Sequence, residues 1–152
     1  DDIVLVSDDE MERAVSTLVN IEKTVAEGAG AAGLAAVMAD PGRFRGANVG
    51  LVLSGGNIDT RLMASVLTRE LAREGRLTQL VLDIVDRPGQ LALVSNLLGE
   101  AGANIIEVSH QRTFSDLPAK AALLQLVIET RDRSHLEDVV ARLAAAGFNL
   151  RA

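Results

Sequence analysis

Two stretches of the chain repeat each other. "LLGEAGANI" and "RLAAAGFNL" align with Gly102 on Gly147, a shift of 45 residues (147 − 102). The same shift puts Leu91 on Leu136, Val94 on Val139, Asn104 on Asn149 and Ile105 on Leu150. Each copy reads as an apolar helix stripe, a glycine that closes the helix, an asparagine and a strand. Ahead of the first copy, "LTQLVLDIVD" alternates Leu80, Leu82 and Ile84 against Val81 and Val85, and "RPGQ" turns the chain. "NIIEVSHQRTF" and "AALLQLVIET" read as two strands joined by "SDLPAK", and "FNLRA" begins a fourth. The order β-α-β-β-α-β is that of the split βαβ, or ferredoxin-like, sandwich.

The first half has a different grammar. Met11, Ala14, Val15, Leu18 and Val19 recur at helical spacing behind Ser7 or Asp8 as N-cap. "TVAEGAGAAGLAAVMAD" sets Glu27 at a helix start, where a carboxylate suits the positive dipole end. Gly28, Gly30 and Gly33 then each cost about 1 kcal/mol of helix stability against Ala. Small residues at that cost point to close approach of another element or a ligand. "ANVGLVL" reads as a buried strand that stops at "SGGN", after which Ile58, Leu62, Met63, Val66, Leu67 and Leu71 trace one helical face. Gly75 ends that helix, and the change of character falls between residues 74 and 75. The chain opens at Asp1 inside a strand-like run, which leads us to expect a piece of a longer protein.

Composition removes several function classes. The chain has 152 residues and a net charge of −6, which argues against a phosphate backbone as partner. Aromatic residues make up only 2%, so base-stacking surfaces are missing and the core must be aliphatic. The absence of cysteine excludes disulfides and thiolate chemistry, and two histidines, His110 and His135, are too few for a histidine-based metal site. No apolar run approaches the ~20 residues that span a bilayer, so neither membrane nor metal is expected and a cytoplasmic location is the default. His110 is in phase with Ile106 and Val108 and reads as a satisfied, partly buried residue. His135, near a helix start, reads as solvated, and the charges around Arg131 to Arg133 as exposed.

"DIVDRPGQLALVSNLLGEAGANI", Asp83 to Ile105, resembles an ACT domain, a small βαββαβ module that binds amino acids in regulated enzymes. The D-R-P-G-x-L turn and the G-x-N-I after the helix carry that resemblance, which covers about Leu77 to Ala152 within a domain of residues 75–152. "VAEGAGAAGLAA", Val25 to Ala36, with "VLSGGNID" and "DDIVLVSDDEM", resembles the C-terminal part of the catalytic domain of the threonine dehydratases (threonine ammonia-lyases). These are pyridoxal-phosphate enzymes of the tryptophan synthase β fold, also called fold type II. The implied fold is therefore α/β: a fragment of such a catalytic domain over residues 1–74, then a ferredoxin-like ACT domain.

The resemblance implies roles. The serine matching Ser54 bonds the pyridine nitrogen of the cofactor; a neutral hydroxyl leaves that nitrogen unprotonated and the ring a weaker electron sink, which favours elimination over transamination. Gly55 and Gly56 let the backbone turn beside the ring, Asn57 braces the turn, and Glu27 matches a glutamate near the cofactor. The family's S-F-K lysine and glycine-rich phosphate loop have no counterpart, since the two lysines, Lys23 and Lys120, lie in "IEKTV" and "LPAKA". The chain is thus expected to carry no catalytic residue and to be inactive alone, with pyridoxal phosphate belonging to a parent that turns threonine into 2-oxobutanoate and ammonia. In the ACT half, Pro88, Gly89, Gln90 and Leu91 match the turn at which an effector sits, and Asn104 matches the start of the second strand. Isoleucine or valine is the implied effector, with a homodimer through the ACT domain and a homotetramer of the parent.

The residues also admit plainer readings. "SGGN" is compatible with an ordinary strand-to-helix turn capped by Asn57 or Asp59, and the Ala/Gly run with a tightly packed helix. Two alternative readings are an ACT-type amino-acid-binding dimerisation module only, and part of a related serine dehydratase or racemase.

Overall fold

A computed structural model describes residues 3–112 and 121–151. The "SDLPAK" connection with its Lys120, the end of the preceding strand at Thr113 and Phe114, and the terminal Asp1, Asp2 and Ala152 lie outside the described residues. The chain divides into two compact units between Glu70 and Leu71, inside a helix rather than at the change of character at 74 to 75.

Unit 1 is helical. Helix α1 (Asp8–Thr17) starts with a reciprocal cap: the Ser7 side chain accepts the Glu10 N–H, and the Glu10 carboxylate accepts the Ser7 N–H at 2.7 Å. It runs on through a π-helical turn, Leu18–Glu22, and stops at Lys23 in the left-handed region. Helix α2 (Gly28–Ala39) packs on α1, and α3 (Thr60–Arg73) begins at Asp59, whose carboxylate accepts the N–H groups of Arg61 and Leu62 at 3.0 Å. Asp59, not Asn57, is therefore the cap. The core is small and aliphatic: Ala14, Val15, Leu18, Ala26, Ala31, Ala35 and Val66.

The strand expected at residues 47–53 is absent, as is the strand-like run before Ser7. Both segments are irregular, and Val52 is 83% exposed. A strand is stabilised by a ladder to a neighbour, and unit 1 contains no strand among its described residues with which either segment could pair.

Unit 2 has the expected order. Strand β1 (Leu77–Val85) leads to α4 (Gln90–Ala101), β2 (Asn104–Gln111), β3 (Ala121–Glu129), α5 (Arg133–Ala145) and β4 (Asn149–Leu150). The sheet order is β2-β3-β1-β4, and every pairing is antiparallel. Period-2 alternation sends Leu80, Leu82 and Ile84 of β1 and Ala122, Leu124, Leu126 and Ile128 of β3 to one face. There they meet Val94 and Leu98 of α4 and Val139 and Leu143 of α5 in one core.

The repeat is imperfect in one informative place. The buried helix residues keep the shift of 45 (139 − 94), but the buried strand residues shift by 44 (124 − 80). The helix starts do not follow either shift: residues 130–132 connect β3 to α5, one residue fewer than the four, 86–89, that connect β1 to α4.

Candidate functional site

In unit 1 the glycine pair and the start of α2 are brought together. The Glu27 N–H donates to the Gly55 carbonyl at 3.1 Å. A Cβ on Gly30 would lie 2.6 Å from that same carbonyl oxygen, and one on Gly55 would lie 2.2 Å from Oε1 of Glu27. The cost of a glycine in the first turns of α2 thus has a packing reason: the backbone of the SGGN loop occupies the space that a side chain would fill. Gly56 also sits close, its would-be Cβ 2.9 Å from the Val25 carbonyl. The loop tightens further through the Ile58 N–H to the Gly56 carbonyl at 2.9 Å. Asn57 does not brace the turn; it is exposed and its side chain bonds no described residue. Ser54 is exposed on the rim.

In unit 2, Pro88 and Gly89 are exposed at the end of β1. Gly89 has φ +89° and starts α4 without a side-chain cap, and a Cβ there would meet nothing within 4 Å. The first-turn N–H groups of α4 thus begin at an open corner, where the dipole favours a carboxylate. Gln90 is half-buried, and Leu91 and Leu93 leave apolar surface exposed beside it. Asp86, at the same corner, takes the Arg112 guanidinium at 2.9 Å.

Asn104 is not at that corner. It stands opposite Glu129 in β3, and Glu129 stands opposite Leu77, the first residue of β1. The turn follows Val85, eight residues along the same strand, so Asn104 and the turn lie at opposite ends of the sheet, roughly 26 Å apart at ~3.3 Å per residue. Within one chain they do not share a site.

Asn104 instead lines an open cavity of about 520 Å³ together with Arg76, Gly102, Glu129, Thr130 and Arg131. Asn104 Nδ2 donates to Oε2 of Glu129 at 3.4 Å. Two buried polar side chains fix the walls. Thr130 is 5% exposed; its hydroxyl donates to the Gly75 carbonyl, and its N–H to the Arg76 carbonyl at 2.9 Å. His135 is also 5% exposed, not solvated as its position near a helix start implied. Its Nδ1 accepts the Arg131 N–H at 3.1 Å, which leaves Nε2 to donate to the Ala101 carbonyl at 2.8 Å. The reason is tertiary: the α4 terminus covers the first turn of α5 and offers a carbonyl there. His110 is the reverse case, since its Nε2 is buried with no hydrogen-bond partner among the described residues.

The sequence pattern of the ACT domain family matches residues 78–148. Those residues run from β1 through α5 of the βαββαβ sandwich described above, and β4 follows at once. Residues 78–148 are an ACT domain. The similarity to known proteins reaches further. An L-threonine ammonia-lyase of Thermotoga maritima is 36% identical over 151 residues, which is 99% of this chain and 37% of that protein. One from Geobacter sulfurreducens is 34% identical over 148 residues, 97% of this chain and 37% of that protein. A biosynthetic L-threonine dehydratase of Haemophilus influenzae is 28% identical over 152 residues, 99% of this chain and 28% of that protein. The chain thus spans about 37% of the length of the first two relatives and matches their C-terminal region, which carries the regulatory ACT domain.

The sequence motifs mark the ACT turn and Asn104 but not Arg76, Glu129 or Thr130, and Arg131 to Arg133 read there simply as exposed charge. A signal was available. The 45-residue shift carries Gln90 and Leu91 of the first turn onto His135 and Leu136 (135 − 90), so the second β-to-α connection was marked as the repeat equivalent of the first. Among the described residues no helix is long and apolar enough to cross a membrane.

Proposed function

We propose that this chain is the C-terminal regulatory portion of a threonine ammonia-lyase, cytoplasmic, in which residues 75–152 sense an amino acid and residues 1–74 complete one wall of the catalytic domain. What supports this most is that the similarity to threonine ammonia-lyases runs unbroken through both units rather than stopping at the ACT domain.

In unit 1 the fit to pyridoxal phosphate rests on the glycine cradle. The backbone of Gly55 and Gly56 is held against residues 25–30 with no room for side chains, and the neighbouring Ser54 is exposed, which supports its hydroxyl as a neutral partner for a ring nitrogen. When bound, the cofactor supplies the electron sink for losing the β-hydroxyl of threonine. Ser54 binds and orients its nitrogen edge, Gly55 and Gly56 admit the ring, and Glu27 buttresses Gly55. Covalent attachment needs a lysine from elsewhere: Lys23 turns its ammonium onto the Asn20 carbonyl at 2.6 Å. The 152 residues alone are therefore inactive.

In the ACT domain a branched amino acid, isoleucine or valine, sits against Pro88–Leu91, where Leu91 suits its side chain. Since Asn104 lies at the far end of the sheet, a second copy brings it to the turn. Strand β2 is at the sheet edge with Ile106 and Val108 56% and 42% exposed, the kind of edge that a second copy covers by antiparallel pairing. That exposed edge supports a homodimer, which we place within a homotetrameric parent. Regulation then needs an effector affinity that differs between two states, worth about 1–3 kcal/mol of coupling.

Calorimetric titration of the chain with L-isoleucine and L-valine, against L-threonine, L-serine and glycine, tests the reading. Saturable binding of a branched amino acid that disappears in Gly89→Val is expected. Binding unchanged by Gly89→Val, or a monomer in sedimentation at micromolar concentration, would count against it.

A further inference from the structure

We propose that the cavity lined by Arg76, Asn104, Glu129 and Arg131 is a head-group pocket for a free α-amino acid, with Arg131 taking the carboxylate and Glu129 the ammonium. This rests on the reading that the ACT domain binds an amino acid, and it says which end of the ligand goes where.

The lining decides the class. None of its described lining residues is aliphatic or aromatic, so a branched side chain would find only arginine stems and the Thr130 methyl there. It does offer both signs of charge. The Arg131 guanidinium is exposed and has no partner among the described residues, while Arg76 is engaged by Glu74 at 3.3 Å. Glu129 is the one carboxylate among the described lining residues, and the Asn104 amide donates to it from across the strand pair. A guanidinium, a carboxylate and an amide facing one space of about 520 Å³ match the ends of a zwitterion. A phosphate or dicarboxylate would have to sit against Glu129.

The pocket is also built, not merely vacant surface. Thr130 and His135, both buried, tie the backbone at Arg131 to the ends of α3 and α4. The Arg131 side chain therefore projects from a backbone braced at Gly75, Arg76 and Ala101, and less is lost in ordering it around a ligand. The apolar remainder of the ligand must look outward. In a dimer that carries Asn104 to the turn of a second copy, it meets the exposed Leu91 and Leu93 there. One copy then reads the head group and the other reads the side chain.

The test is a titration of the full chain with L-isoleucine, with L-isoleucinamide, which lacks the carboxylate, and with inorganic phosphate. Arg131→Gln removes no side-chain bond to a described residue. It is expected to weaken isoleucine at least tenfold while leaving the already weak isoleucinamide unchanged. Glu129→Gln is expected to weaken both. Isoleucine bound equally well by both variants, yet lost in Gly89→Val, would overturn the head-group assignment and leave the effector reading standing. Phosphate bound as tightly as isoleucine would make the cavity a plain anion site and overturn it too. No saturable heat with any amino acid would overturn both readings.

Discussion

The connections from β1 to α4 and from β3 to α5 occupy equivalent places in the two halves of the ACT domain, and they are built by opposite means. The first is bare. Pro88 and Gly89 are exposed, α4 starts without a side-chain cap, and Gly89 holds a left-handed conformation that an L side chain resists. The second is tied. Asp132 accepts the His135 N–H at 2.8 Å, Thr130 and His135 are buried and bonded, and the helix begins at Arg133, two repeat positions earlier than α4 (133 − 90 = 43 against the shift of 45). One scaffold therefore supplies an open corner of N–H donors at one end of the sheet and a braced polar cavity at the other. Stability is stored in the second connection, and unsatisfied donors are kept in the first.

The sharpest way to break that contrast is His135→Ala. It strands the Arg131 N–H and the Ala101 carbonyl, and a loss of about 2–3 kcal/mol is expected. Gln90→Ala, at the equivalent repeat position, is expected to stay within about 0.5 kcal/mol. Urea unfolding monitored by circular dichroism measures both. Equal losses would show that the two connections carry the same load.

Next comes Gly89→Ala. An L residue in the left-handed region costs about 1–2 kcal/mol, whereas Ser134→Ala, its repeat partner inside a helix, is expected to change stability by under about 0.5 kcal/mol. The space around Gly89 is open, so the penalty would come from the backbone alone, and Gly89→Asn should recover part of it. A Gly89→Ala protein as stable as the parent would mean that the turn can relax out of its positive φ.

Asp132→Ala should cost about 1 kcal/mol, the usual value of a lost N-cap, read as a lower urea midpoint at unchanged slope. No substitution at the start of α4 has an equivalent bond to lose. A larger effect would show that Asp132 also holds His135 in place through the bond to its N–H.

How far these features could be read in advance follows from where their causes lie. The repeat, the alternation of β1 and the two helix stripes are local patterns, and they gave the βαββαβ order and its core residues. The turn at Pro88–Leu91 and the glycine pair at 55 and 56 are likewise marked by residue types that few other roles require. The strand expected at 47–53 failed because a strand depends on a neighbour that no local pattern supplies. His135 was misread for the same reason: its position in the helix says solvent, and only the α4 terminus packed above it says otherwise. The cavity residues were hidden in plain charge, since nothing in "ETRDRSH" distinguishes a guanidinium that lines a pocket from one that faces water.

The smallest effect separates capped from bare helix starts by pH. At α1 the Glu10 carboxylate is held below the ordinary carboxylate value by the Ser7 N–H and then the Ser7 hydroxyl. A carboxyl with a depressed folded pKa contributes stability that is present above its unfolded value, about 4.5, and is lost as pH falls through the folded value. The difference in melting temperature between the parent and Glu10→Gln should therefore be constant near neutral pH and shrink as pH drops below that window. The group is exposed, so the effect is small, and added salt should shrink it further. The bare start of α4 makes the control: Gln90→Glu places a carboxylate in the first turn with no cap hydroxyl to hold it, so only the helix dipole acts on it. A pH dependence in that variant as large as at Glu10 would mean that the dipole, and not the Ser7 cap, sets the carboxylate's affinity for its proton.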